Sequence, residues 1–582
     1  MRSDVRSRPD PSAEYSDCRP SSQPGDSQNL EQHRKRAKRL DDAKSYQREI
    51  ERKQKEDNQN NYTLENQIKL QKEVQTMRKK KRSLYIVSNR GPVEYHLTED
   101  QKFEIKSGAG GLTSTLNSII EYKVPVDKWF SSPMSEGDRK AMQLGCNGDY
   151  HFVALERRVY NAFYNKISNE ILWFILHDMY KPGQHNVSEV GCEGSSSSLP
   201  SRPSEIEKEW KSYTQANQTF ANTVRAEINK KNARKKPIVM IHDYHFLQLP
   251  GMLRKLHRTT ILQHFIHVPW PKPKAWKALP SSIVQDIYRG MASNNIIGFH
   301  TNEDAQNFLQ GAKNYLPEAK IDFKNSRVRW QENNMQVQFY PISISVEKVR
   351  DTAKRELDKR RANNERREGT KKAQKRGSSE GIQKILRVDR IEPTKNILAG
   401  FQAYDLMLER SPNWHGKVVF QCRFVPSRQK VESYEELQKQ IESEIDRINK
   451  KYGNENWQPI DAFFGHDHAG ALAEMASYDV LLVNPIKDGM NLVAKEGVVV
   501  NQNDGVLILS QTAGAFHELK DGAIPLVSPS NVEKTVEALE KALTMLPEER
   551  KIKATRMRDA VERNDLALWL ACQLHDINSI TL

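Results

Sequence analysis

Two series of short, apolar, β-branched runs, separated by helical patterns, constrain this chain more than any other feature. The first series holds 83–88, 238–242, 262–267, 296–299 and 337–341; the second holds 384–388, 418–421, 480–483, 506–509 and 524–527. Runs that are apolar at nearly every position suit strands covered on both faces, the environment of a parallel sheet, and strands alternating with helices build βαβ units. At 582 residues the chain is also too long for one hydrophobic core. The expected fold is α/β, with two Rossmann-like doubly wound domains facing a cleft, the first over residues 83–345 and the second starting at 346. Strand ends, and the ligand turns they carry, then lie on opposite walls of that cleft.

Composition matters mainly for what lies outside these series. Hydrophobic residues make up 37% of the chain, and the deficit sits in polar segments. Residues 1–82 are rich first in Ser, Pro, Asp and Gln and then in charge, so a disordered or partly helical tail without chemistry is expected there. A serine-rich stretch at about 186–206 reads as a surface insertion, and a Lys/Arg-rich stretch from Lys354 to Gly381 separates the two series. The net charge of +15 raises a phosphate-backbone footprint, but roughly half of it belongs to the tail, where a solvated charged segment explains it; nucleic acid is not the expected partner. The five cysteines, Cys18, Cys146, Cys192, Cys422 and Cys572, show neither CxxC spacing nor clustering with histidine, which argues against a zinc site or a disulfide framework. No apolar segment resembles a signal peptide or a membrane span, so a soluble, cytoplasmic protein is expected.

The chemistry concentrates where strands should end. The run 478–485 breaks at Asp488-Gly489 and a helical pattern continues through Met490, Asn491, Leu492 and Lys495 to Glu496. A helix start at such a turn offers N–H groups to a phosphate, and Asp488 and Glu496, a little over two helical turns apart, can face one cleft. Arg390-Ile391-Glu392-Pro393-Thr394-Lys395 follows another strand with two cations suited to a departing diphosphate. Asp488 is then the sugar-hydroxyl candidate and Glu496 the ribose candidate. On the other wall, His242-Asp243-Tyr244-His245 and His267-Val268-Pro269-Trp270-Pro271 end adjacent strands, and Gly108-Ala109-Gly110-Gly111-Leu112 is a candidate phosphate-approach loop.

Together these residues resemble the trehalose-6-phosphate synthase family of retaining glycosyltransferases from Tyr85 to the C-terminus. The matching signatures are 87–90, 110–112, Tyr164-Asn165 with Ser168-Asn169 and Leu172-Trp173, 242–245, 267–271, 298–301, Arg390 with Lys395, 426–428 and 488–496. The resemblance implies a GT-B fold and metal-free, cofactor-free transfer of glucose from a nucleotide sugar, UDP-glucose or similar, to glucose 6-phosphate. It implies that Arg90, Tyr164 and Arg428 grip the acceptor phosphate, and that Trp129 and Trp173 line the acceptor pocket. Asp243 and His267 would contact the transferring glucose, Gly111 would lie near the diphosphate, and Arg390, Lys395, Asp488 and Glu496 would hold the donor. It also implies that the second domain ends near 560 and that residues 561–582 form a helix crossing back to the first. The partners implied are these small molecules, and a homo-oligomer is compatible with them.

Retention in such a family is attributed to front-face substitution in which the leaving diphosphate helps deprotonate the acceptor hydroxyl. The sequence agrees, because it offers a cationic clamp and no pair of acids at a spacing suited to nucleophile plus acid/base. It departs from the family pattern at Glu392-Pro393-Thr394-Lys395-Asn396, at Ser343-Ile344-Ser345, at Ser131-Ser132-Pro133 and at 463–468, which leaves the donor base and the exact acceptor open. A glucosylglycerol-phosphate synthase, a pseudo-glycosyltransferase and a non-catalytic regulatory subunit are the alternative expectations.

Overall fold

The structure, a computed structural model, describes residues 62–98, 100, 102–107, 117–145, 149–180, 203–230, 236–368, 381–428 and 432–580. Residues 62–582 form one compact unit. The glycine loop 108–112 and residues 186–202 of the insertion expected at about 186–206 lie outside the described residues, while 203–206 begin a helix.

The first sheet contains β1 (Leu84–Val87), then, past a separate antiparallel hairpin of β2 (Val93–Leu97) and β3 (Phe103–Ser107), β4 (Lys128–Ser131), β5 (Tyr150–Phe152), β6 (Ile238–His242), β7 (Ile261–Phe265), β8 (Ile296–Phe299), β9 (Lys320–Asp322), β10 (Arg327–Trp330) and β11 (Asn333–Phe339). Its order is β5-β4-β1-β6-β7-β8-β11-β10-β9, parallel as far as β11 and antiparallel at the β10 and β9 edge. The central strands are buried along their whole length, as their unbroken apolar runs require.

The second sheet contains β12 (Gln383–Arg390), β13 (Val418–Val425), β14 (Ile460–Phe464), β15 (Val480–Val483), β16 (Val506–Ser510) and β17 (Ile524–Leu526). All its pairings are parallel, in the order β14-β13-β12-β15-β16-β17. The strand order reverses beside β12, so the turns after β12 and β15 open on the crevice where ligands of such sheets sit.

One core joins the two halves. It holds Ile86 and Met240 of the first sheet, Leu386 and Leu481 of the second, and Trp569, Leu570 and Leu574 of the last helix, Leu566–Ser579. That helix also meets the first sheet through Gln573, which accepts from Gln263 at 2.9 Å, and through Trp569, whose ring lies edge-on to Phe265 at 5.4 Å.

The polar tail expected over 1–82 needs correction at its end. Residues 62–80 form a helix whose Leu70, Val74 and Met77 are fully buried in this shared core. The spacing i, i+4, i+7 makes one apolar stripe, and Lys, Glu and Gln on the remaining faces hide it from any composition argument. Asn66 donates to Asp565 at 3.1 Å, and Asn578 donates to Glu73 at 2.9 Å, which ties this helix to the C-terminal one. The basic stretch expected from Lys354 is likewise helical at its start, because helix Val346–Glu368 continues into it from the buried Val346, Val349 and Ala353.

Candidate active site

On the second sheet, the two turns at the crevice carry opposite charges that meet. Lys395 closes the short turn Pro393–Lys395 after β12, and its Nζ lies 2.5 Å from Asp488 Oδ2 and 3.9 Å from Asp389 Oδ1. Burial disfavours charge on both partners. The attraction wins: Asp488 and Asp389 hold the Lys395 ammonium above its ordinary range, and Lys395 holds Asp488 below the usual carboxylate range. Asn491, at φ 67°, caps helix Leu492–Val500; its Oδ1 accepts from Ala494 N and its Nδ2 donates to Asp488 Oδ2 at 3.0 Å. The first N–H groups of that helix, after Gly489 and Met490, lack intrahelical acceptors, an arrangement that suits an anion. Arg390 is half exposed and reaches the buried Glu392 at 2.9 Å. Burial raises the Glu392 carboxyl, but Arg390, Arg428 and Lys395 more than reverse this and keep it below its usual range.

On the first sheet, β6 and β7 end side by side. Asp243 adopts φ 75° and ψ 172°, a conformation nearly confined to glycine and costing about 1–3 kcal/mol. It accepts from the His267 amide at 3.3 Å, and burial pushes its carboxyl up to about 7. Around it His242 Nδ1 stands 3.1 Å from His267 Nε2, His264 Nε2 2.9 Å from the Asp243 carbonyl, and His300 Nε2 3.1 Å from the His267 carbonyl. Burial lowers all four imidazoles, His242 to about 3 and His264 and His300 to about 4. They are neutral at pH 7 and offer hydrogen bonds rather than charge.

The helical stretch Arg157–Leu176 widens into π-turns over Asn161–Leu172, a form often found at functional sites. It presents Tyr164, stacked on His245 at 5.8 Å, and Trp173. Arg428, arriving from the end of β13, lays its guanidinium over the Trp173 ring at 4.4 Å and donates to Tyr434.

The two walls therefore touch, and one contact sets their spacing. A Cβ on Gly489 would lie 2.3 Å from the His267 carbonyl oxygen, so only glycine permits this backbone approach. Beside it a cavity of about 640 Å³ is lined from both halves, by His177, Asp178 and Thr301 on one side and Lys487, Asp488 and Gln511 on the other. Lys487 forms an ion pair with Asp178 across it, and burial lowers His177 to about 4.

Of the residues the sequence singles out, Asp243, His267, Tyr164, Trp173, Arg428, Arg390, Lys395, Asp488, Gly489, Met490, Asn491 and Leu492 lie on these facing walls. Glu496 stands further into its helix, with Oε1 3.2 Å from His468 Nε2, and its hydrogen bond raises the His468 imidazole. Arg90 is half exposed and 3.9 Å from Glu94. Trp129 requires correction: it is 1% exposed, packed in the shared core, and its Nε1 donates to Ser88 at 2.7 Å. Side chains alternate along β4, so Trp129 and Phe130 enter cores on opposite faces of the sheet. Gly111 lies outside the described residues. Sequence reasoning missed Arg387, Asp389, Glu392, His177 and Lys487 as parts of the site; Asp389 and Arg387 precede the clamp on the same strand, which is the one signal that marks them. Among the described residues no cluster of His, Cys, Asp or Glu could hold a metal ion, and no helix is long and apolar enough to cross a membrane.

The sequence model of Glycosyltransferase family 20 matches residues 82–579. The chain belongs to glycosyltransferase family 20. Among curated family 20 proteins, the alpha,alpha-trehalose-phosphate synthase [UDP-forming] A of Dictyostelium discoideum is 30% identical over 490 residues, covering 84% of this chain but 61% of that longer protein. The alpha,alpha-trehalose-phosphate synthase [UDP-forming] of Pichia angusta is 30% identical over 509 residues, covering 84% of this chain and 97% of the relative. The solved trehalose-6-phosphate synthase OtsA superposes with a TM-score of 0.68 at 26% identity, over 86% of this chain and 99% of its own. An E. coli structure bound with UDP-2-fluoro glucose gives 0.66 at 26% identity, over 86% and 99%. The fold is the GT-B arrangement, and the protein is a glycosyltransferase.

Proposed function

We propose that this family 20 enzyme transfers glucose, with retention, from a nucleotide-activated glucose such as UDP-glucose to glucose 6-phosphate, giving trehalose 6-phosphate. The observation that carries the reading is the meeting of a cationic, phosphate-suited wall with a sugar-suited wall at the Gly489 and His267 backbone contact. Arg390, Lys395 and the start of helix Leu492–Val500 hold the donor diphosphate and stabilise the charge it gathers as the glycosidic bond breaks. Asp488 accepts from the glucose hydroxyls, and Glu496 takes the ribose hydroxyls in place of His468. Asp243 and the His267 segment orient the glucose from the opposite side. Arg428, Tyr164 and Arg90 hold the acceptor phosphate, with Trp173 as its apolar floor. The diphosphate oxygen takes the acceptor proton as the new bond forms on the face that the leaving group vacates.

The test is a donor and acceptor panel with purified protein, scored by product mass and anomeric configuration. UDP-glucose and glucose 6-phosphate should give an α,α-linked disaccharide phosphate. Arg390→Ala and Glu496→Ala should each abolish transfer while leaving the thermal melt unchanged. Turnover at the wild-type level in either variant would sink the site assignment, and no transfer to any sugar phosphate would favour a regulatory subunit.

A further inference from the structure

Below the donor wall lies an arginine that no ligand can reach. Arg387, in the middle of β12, has 0% of its side chain exposed. A guanidinium cut off from water is costly unless it is paired and hydrogen-bonded; here two of its nitrogens donate to separate parts of the site and the third pairs with a carboxylate. Nε lies 3.0 Å from Asp389 Oδ2, Nη1 donates to Asn484 Oδ1 at 2.7 Å, and Nη2 donates to the carbonyl of Lys395.

Each partner leads to the clamp. Asp389 is the second carboxylate near the Lys395 ammonium. Asn484 follows β15 and begins the turn that ends at Asp488; its carbonyl accepts from Asn396 at 3.1 Å, the residue after Lys395. The two turns are also joined directly, because Ile486 N donates to the Thr394 carbonyl at 2.8 Å. The Lys395 carbonyl is fixed by Arg387 while its Nζ is shared unequally between Asp488 and Asp389. Remove the guanidinium, and Asp389 loses its nearest cation and competes with Asp488 for Lys395.

We propose that Arg387 is a positioning residue for the donor, bridging the turns after β12 and β15 so that Lys395 and Asp488 stand ready for the nucleotide sugar. This rests on the reading of Lys395 and Asp488 as donor groups. Gly400 gives an independent handle. It lies on helix Ile397–Arg410, and a Cβ there would stand 2.7 Å from Arg387 Nη1, so Gly400→Ala displaces the guanidinium without touching any charge or ligand.

Steady-state kinetics of the full chain with UDP-glucose and glucose 6-phosphate, beside thermal melts, decide the matter. Arg387→Met should lower kcat/KM for UDP-glucose by about 10- to 100-fold, the scale of a misplacement of about 1 Å, and leave KM for glucose 6-phosphate within about twofold. Arg387→Lys should recover part of the loss. In a Lys395→Ala background, adding Arg387→Met should cost no more than about threefold, because a residue that acts through the lysine has nothing left to position. Losses that multiply, or a KM for glucose 6-phosphate that rises as much as the KM for UDP-glucose, overturn the proposal. Should Arg387→Met not fold, Gly400→Ala should show the same donor-selective loss, and wild-type donor kinetics there overturn it too. If Lys395→Ala itself keeps wild-type donor kinetics, the donor reading falls and takes the proposal with it; if Lys395→Ala is impaired and Arg387→Met is not, only the positioning role falls.

Discussion

Asp243 shows what a single residue gives up for a site. It combines a glycine-like backbone conformation with a buried carboxyl whose pKa lies near 7, against 3.8 for an ordinary aspartate. Between those values the folded chain holds a proton that the unfolded chain has released. The stability this group supplies is therefore complete below about pH 4 and lost as pH rises through about 7. Asp243→Asn keeps a side chain that tolerates positive φ and carries no charge. It should melt at a higher temperature than wild type at pH 8, with the advantage shrinking as pH falls below 7, and it should have lost transfer activity. Melting curves at pH 5 and pH 8 beside an activity assay check this. Asp243 was legible in the sequence because a polar group ending an apolar strand is hard to explain by packing. Trp129 was not, since its face of the sheet depends on the pairing of β4 between β1 and β5, which no local pattern reveals. Arg387 was hidden for a related reason: a lone arginine inside a strand reads as an edge residue until its neighbours are known.

At the scale of elements, the strands with unbroken apolar runs were readable almost to the residue; Ile238–His242 and Val480–Val483 are examples. The alternating β14 was not. In β14, Ile460 is buried while Asp461 and Phe463 are exposed, and a short strand of that pattern resembles a turn. The burial of the helix at 62–80 escaped for the opposite reason, a narrow stripe on a charged cylinder. Its contribution should nonetheless be large. Leu70→Ala leaves a cavity against the C-terminal helix and should cost about 2–5 kcal/mol, measurable as a lower midpoint in urea unfolding. A change within error would mean that this helix merely rests on the fold.

For the whole molecule, the pairing of two doubly wound halves followed from the two series of strands, whereas the closeness of their approach did not. That closeness depends on Gly489 facing the His267 carbonyl and on Gly514, where a Cβ would meet the Gly489 carbonyl at 2.1 Å. Backbone cannot yield as a side chain can. Gly489→Ala should therefore hold the halves apart, lowering kcat by at least about 100-fold with little change in melting temperature, and small-angle scattering should report a larger radius. Wild-type turnover in that variant would show that the cleft works without this contact.

The helix at 62–80 has one further consequence. Asn66 binds Asp565 at the start of the C-terminal helix, whereas Lys80 donates to the Asn578 carbonyl and Arg82 to the Ile580 carbonyl at its end, so the two helices run parallel and residues 62 and 580 lie at opposite ends of the pair. A module fused ahead of residue 62 and another fused after residue 580 would leave the surface about a helix length apart, roughly 27 Å at 1.5 Å per residue. Two such modules would meet only through linkers long enough to span that distance, and their effective concentration would be set by linker length.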